Sequence, residues 1–136
     1  MSPADARIGV FPRHRYGIIQ PTGTVVAADV AECGLALARH PDWEPGFTEV
    51  WDLRFSEAVD LVPTDAQRLL DLEQETKAAL AGSTTVIVTA RPLLQFSVKF
   101  YARLVKPFGR SVVAASSAEE AAERLGIAAL PDLRGG

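Results

Sequence analysis

Glu49-Val50-Trp51-Asp52-Leu53-Arg54-Phe55 decides the fold. Val50, Trp51, Leu53 and Phe55 fill a short run of β-branched and aromatic side chains, and Asp52 and Arg54 close its far end. Pro45-Gly46 precedes it and a polar loop follows, so the run reads as a buried strand. Helical patterns lie on both sides, which makes it the central strand of a mostly parallel sheet.

Toward the N-terminus, Arg7–Phe11 and Tyr16–Gln20 are two short strand patterns separated by Pro12-Arg13-His14-Arg15, the arrangement of a hairpin. Pro12 has no amide to donate and belongs at the end of an edge strand. Val26, Val30, Cys33 and Leu37 form one apolar stripe, predicting a helix from Val26 to Arg39. Gly34 lies beside that stripe, where a close helix–sheet approach would require it, and His40-Pro41 ends the helix. Toward the C-terminus, Ser56–Pro63 reads as a loop. Thr64-Asp65-Ala66-Gln67 reads as a capping box opening a helix that runs to Ala81, with Gly82 as its stop. Its Asp71, Glu73 and Glu75 are expected to look outward. Thr84–Thr89 is a strand buried on both faces, Pro92–Lys106 a third helix, and Arg110–Ala114 the last strand. Ser117-Ala118-Glu119-Glu120 caps a short fourth helix to Leu125, and residues 127–136 read as a tail. The expected order, ββαβαβαβα, gives an α/β domain: a mostly parallel sheet of five strands with an antiparallel N-terminal hairpin edge, and four helices.

The 136 residues make one domain, 1–136, with its core over 7–126. A net charge of −3 gives nucleic acid or an anionic membrane no global attraction. No apolar run reaches the length of a membrane span, and Met1–Asp5 lacks the basic start and apolar run of a signal peptide. The single cysteine, Cys33, rules out an internal disulfide framework and suits a reducing, cytoplasmic setting. Eleven of the fourteen basic residues are Arg and Ala is abundant, the bias of a GC-rich bacterial genome.

Gly23, the first helix, His40-Pro41-Asp42-Trp43, Asp52-Leu53-Arg54 on the central strand, the apolar third helix from Leu93 to Tyr101, and Ser117–Ala121 together resemble the SpoIIAA-like, or STAS/SEC14-like, family of small bacterial proteins. The resemblance covers residues 7–126 and implies that fold. Its regulatory branch implies a phosphorylated side chain in the turn that opens the helix after the central strand. Here that place reads Leu61-Val62-Pro63-Thr64-Asp65, where Thr64 is the one hydroxyl and also the helix cap. Its lipid-carrier branch implies an apolar cavity.

Nothing in the chain spells an enzyme. His14 and His40 have no metal-ligand spacing, and Cys33 sits on an apolar helix face, the opposite of a reactive thiol's setting. No glycine-rich phosphate loop, Gly-x-Ser-x-Gly elbow or paired-carboxylate motif occurs, and no cofactor is expected. Ligands of parallel sheets gather at the carboxyl ends of the strands. Asp52, Arg54, Thr89, Arg91, Ser116 and Ser117 fall there, with three helix N-termini that favour an anion. Pairing of Asp52 with a neighbouring Arg, and capping by the hydroxyls, explains the same residues without a ligand. The third helix carries two adjoining apolar stripes, Leu93, Phe96, Phe100 and Leu104 beside Leu94, Val98, Tyr101 and Val105. Lys99, Arg103, Lys106 and Arg110 lie beyond them. A face this wide belongs to a buried helix or to an interface, so Phe96, Phe100, Tyr101, Leu104 and Val105 are the candidate contacts of a homodimer or protein partner. The reading that follows is a non-enzymatic, cytoplasmic, STAS-like regulatory or interaction module. The alternative is a carrier or sensor of a small apolar or lipid-like molecule held between the third helix and the sheet. An enzyme acting on an anionic substrate at Asp52, Arg54 and Arg91 ranks third.

Overall fold

In the computed structural model, which describes residues 6–135, the central run divides. Thr48–Asp52 is β4, the fourth strand among the described residues, and Leu53–Phe55 turns away as a single 3-10 turn. The Asp52 carboxylate starts that turn by accepting from the Arg54 amide at 3.2 Å. Around β4 the sheet runs β1 (Arg7–Phe11), β2 (Tyr16–Gln20), β4, β6 (Thr84–Val88), β7 (Ser111–Ala115), which puts the quoted stretch at the middle. β1 and β2 pair antiparallel with Phe11 opposite Tyr16, and every other neighbour is parallel. Pro12 stands just past the edge strand, as its missing amide demands. The five-stranded sheet with its hairpin edge and four helices is the expected architecture.

One addition was not foreseen. Ser56–Asp60, read as loop, is strand β5, and it pairs in parallel with β3 (Gly23–Val26) in a separate two-stranded sheet. Most of β5 is exposed, so only Val59 carries an inward apolar signal, too little for a sequence pattern.

Side chains alternate across the main sheet. Register aligns Ile19, Trp51 and Ile87 toward α1 (Ala27–Ala38), α2 (Ala66–Glu75) and α3 (Pro92–Val105). Ile18, Val50 and Val86 face the other way, toward α4 (Ala118–Leu125) and the C-terminal segment. The close helix–sheet approach falls at Gly17, where an added Cβ would come within 2.7 Å of Leu37 and 3.0 Å of Trp43. Gly34 answers to a helix–helix contact instead, since a Cβ there would meet Leu72 of α2 at 3.2 Å.

Three further expectations need correction. The helix α2 stops at Glu75, six residues short of the expected end. The Thr76 hydroxyl bonds back to the Leu72 carbonyl at 2.8 Å, competing with helix continuation, and the chain goes on as turns to Gly82. Thr64 does not cap α2. It is exposed in a 3-10 turn whose stabilising bond runs from the Val62 amide to the Asp65 carboxylate at 2.9 Å. Residues 127–135 are no loose tail. Ile127, Leu130 and Leu133 pack on the α4 face of the sheet, and Gln20 holds the Pro131 carbonyl at 2.7 Å and the Leu133 amide at 2.8 Å. The cap of α4 is as expected: the Ser117 hydroxyl accepts from the Glu120 amide at 3.1 Å.

Candidate functional site

The carboxyl edge of the sheet brings Asp52 and Arg54 together, but against each other. Asp52 is fully buried, and both its oxygens are taken by the Arg54 guanidinium at 2.8–3.1 Å. Gln20 donates to it as well, at 3.0 Å. The hydrogen bond and charge of Asp52 hold the Arg54 guanidinium more basic than usual. Arg91 turns elsewhere: its Nη2 donates to the Ser56 carbonyl at 2.5 Å, while its amide donates to the Thr89 hydroxyl at 3.2 Å. Ser116 donates to Glu120, which lowers the pKa of that carboxyl. Over the edge lies the C-terminal segment, with the Arg134 guanidinium 3.5 Å from the centre of the Phe55 ring. Asp52, Arg54, Thr89 and Arg91 therefore serve one another and the backbone, and they do not converge on an open anion site.

The opposite face of the sheet holds something larger. Because α3 packs along β7 and touches α2 only lightly, a gap remains between them, floored by Trp51, Thr85 and Ile87 of the sheet. The result is a cavity of about 370 Å³. Val25 and Val59 of the small sheet, Leu53, Leu69 of α2, and Leu94 and Val98 of α3 complete walls made almost wholly of carbon. Its mouth is equally apolar. Leu61, Val62 and Phe100 are the exposed large hydrophobic side chains of the described residues, at 39%, 49% and 56%, and all three line it.

Behind the inner wall lies a buried polar cluster. Arg110, 5% exposed, bonds Glu73, Thr85 and Glu49, the last at 3.3 Å. The Thr85 hydroxyl donates to Glu49 at 2.9 Å and the Tyr101 hydroxyl to Glu73 at 2.6 Å. Burial first, then the charges of Glu73 and Glu49, push the Tyr101 phenol well above its ordinary pKa. A void of about 10 Å³ beside Glu49 and Glu73 shares Val30, Trp51 and Tyr101 with the large cavity.

The expected interface on α3 is thus divided. Phe100 is exposed and Leu104 half-buried. Val105 is fully buried against Val112 and offers no free surface, and Tyr101 is half-buried with its hydroxyl turned inward to Glu73. The side chain of Phe96 lies outside the described residues. Arg110 leaves the basic rim for the core, and Glu73 leaves the solvent face of α2 to meet it. Sequence reasoning missed this cluster because either residue alone reads as surface. The one available signal was Glu49, an acid within the central strand β4 and next to Val50 and Trp51.

Among the described residues no group of His, Cys, Asp and Glu side chains could hold a metal ion, and no helix is long and apolar enough to cross a membrane. No family model matches the sequence, and no curated protein matches it significantly. A crystal structure does resemble it: that of an uncharacterized protein of the DUF3478 family with a SpoIIAA-like fold from Shewanella loihica PV-4. The TM-score is 0.57 at 13% identity, over 88% of this chain and 91% of the other. A likeness at that identity speaks for architecture alone, and it agrees with the strand order and helix placement above: this chain has a SpoIIAA-like fold.

Proposed function

We propose that this protein is a non-enzymatic binding module that holds a small apolar or lipid-like molecule in the cavity between α3 and the sheet. The cavity itself carries the reading. Its volume of about 370 Å³ falls in the range of small-molecule sites, and its walls are apolar. At roughly 24 cal/mol per Å³, a closed void of that size would cost about 9 kcal/mol, as much as a whole domain's stability. An open mouth lowers that cost, and an apolar guest removes it. The width of the apolar surface on α3 also finds its reason, since one side covers β7 and the other lines the cavity.

Thermal melts with dodecanoate, and native mass spectra of gently purified protein, test this. At a hundredfold excess over Kd, dodecanoate should add about 2.7 kcal/mol of stability. A Val59→Trp variant, which fills the cavity from its half-exposed edge strand, should keep the fold and lose that gain. No shift with any single-chain amphiphile, and no adduct on the native protein, would reject the proposal. The exposed trio Leu61, Val62 and Phe100 favours a second reading, the interaction module or homodimer, in which a second copy or a protein partner covers the mouth. A dimer mass in the absence of any adduct would select it.

A further inference from the structure

We infer that the cavity takes its ligand apolar end first, and that Tyr101 is the residue that enforces this orientation by walling off the acid cluster. The inference rests on the proposed binding function and specifies how it works. Tyr101, Trp51 and Val30 line both the hydrocarbon cavity and the small void beside Glu49 and Glu73, so they are the partition between the two. Among the described residues the polar side-chain atoms on the inner wall of the cavity belong to Trp51, Tyr101 and Thr85, and both hydroxyls have given their protons away, which leaves the Trp51 indole N–H as the side-chain donor there. The Tyr101 hydroxyl gives its one proton to Glu73. The Thr85 hydroxyl gives its proton to Glu49 and accepts from Arg110. A ligand hydroxyl or carboxylate pushed to that end would exchange its water shell for at most one neutral indole donor and hydroxyl oxygens whose protons are already given away. At the other end, Leu61, Val62 and Phe100 open on water, where a polar head stays solvated. The ligand class is therefore a single-chain amphiphile or a wholly apolar molecule, and a chain polar at both ends is disfavoured.

Trp51 reports the orientation because it forms part of the inner wall, whereas the indole of Trp43 is tied to the Ala79 carbonyl, away from the cavity. Dodecanoate brominated at its ω carbon should quench tryptophan fluorescence more strongly than dodecanoate brominated at its α carbon, and Trp51→Phe should abolish the difference. ω-Hydroxydodecanoate should bind at least about fivefold more weakly than dodecanoate. In Tyr101→Phe the Glu73 oxygen that loses the Tyr101 bond, still held by Arg110, can accept from the ω-hydroxyl, so the gap should close to within about twofold while dodecanoate affinity holds. Stronger quenching by the α-bromo acid, or equal binding of the two acids by the native protein, would overturn the orientation and leave the binding function standing. Failure of every chain to bind would overturn both. Should Tyr101→Phe not fold, the quenching comparison on the native protein still decides.

Discussion

Cys33 is fully buried on α1, on the stripe that the sequence periodicity marks as the inner face. Burial, followed by the charges of Asp29 and Glu32, pushes its thiol from 9.0 up to about 11. The folded protein thus keeps a proton that the unfolded chain gives up first, and linkage makes stability fall wherever the folded state binds more protons. The contribution is whole below pH 9 and disappears as pH rises toward 11, an effect on the order of 2–3 kcal/mol. Urea unfolding at intervals between those two pH values should show this slope, and Cys33→Ala should flatten it. The diagnostic is the slope, because removing the sulfur from a packed site lowers stability at every pH. A slope unchanged in the variant would place the alkaline sensitivity elsewhere, for instance at Tyr101. The same burial should keep Cys33 inert to thiol reagents at neutral pH.

At the scale of elements, α3 is where sequence and structure part most instructively. Its length and apolar character were legible from Pro92 to Val105, because period and proline punctuation are local signals. The direction in which each stripe points was not. Tyr101 and Phe100 are adjacent in sequence and opposite in fate: one bonds a buried carboxylate and the other stands in water. Only the partner across the gap, Glu73 on α2, decides between them, and that contact spans 28 positions. Charged substitutions at Phe100 and at Tyr101 should therefore give two different outcomes. Phe100→Glu should leave the melting temperature near that of the native protein and weaken apolar binding at the mouth. Tyr101→Glu sets a third carboxylate beside Glu73 and Glu49 and should cost roughly 3–5 kcal/mol, the usual scale for an uncompensated buried charge. Circular-dichroism melts of the two variants side by side test the assignment, and equal behaviour would refute it. The second sheet was illegible for a related reason. β5 earns its pairing with β3 through backbone bonds, and a mostly exposed pair leaves little hydrophobic alternation to read.

For the whole molecule, the two faces of the central sheet have been closed in different ways. On the α1–α2–α3 face three helices leave a cavity, whereas α4 is too short to cover the other face alone. The chain finishes the job with Ile127, Leu130 and Leu133, pinned through Gln20, whose amide also touches Asp52. The segment after α4 is thus both part of the core and the cover of the carboxyl edge. Removing residues 128–136 should cost roughly 2–4 kcal/mol, the sum of two half-buried leucines and the lost Gln20 bonds. Urea midpoints would measure it, with a smaller m-value if the uncovered face stays partly exposed in the native state. The same pair of proteins tests whether Asp52 and Arg54 retain any capacity for anions. In the full chain, phosphate should not move the melting temperature beyond its general salt effect, since Asp52 is buried and already neutralises the more exposed Arg54 guanidinium. A specific phosphate shift in the full chain would return Asp52 and Arg54 to the list of binding residues. A shift only after truncation would mean that the C-terminal segment occupies the place an anion could take.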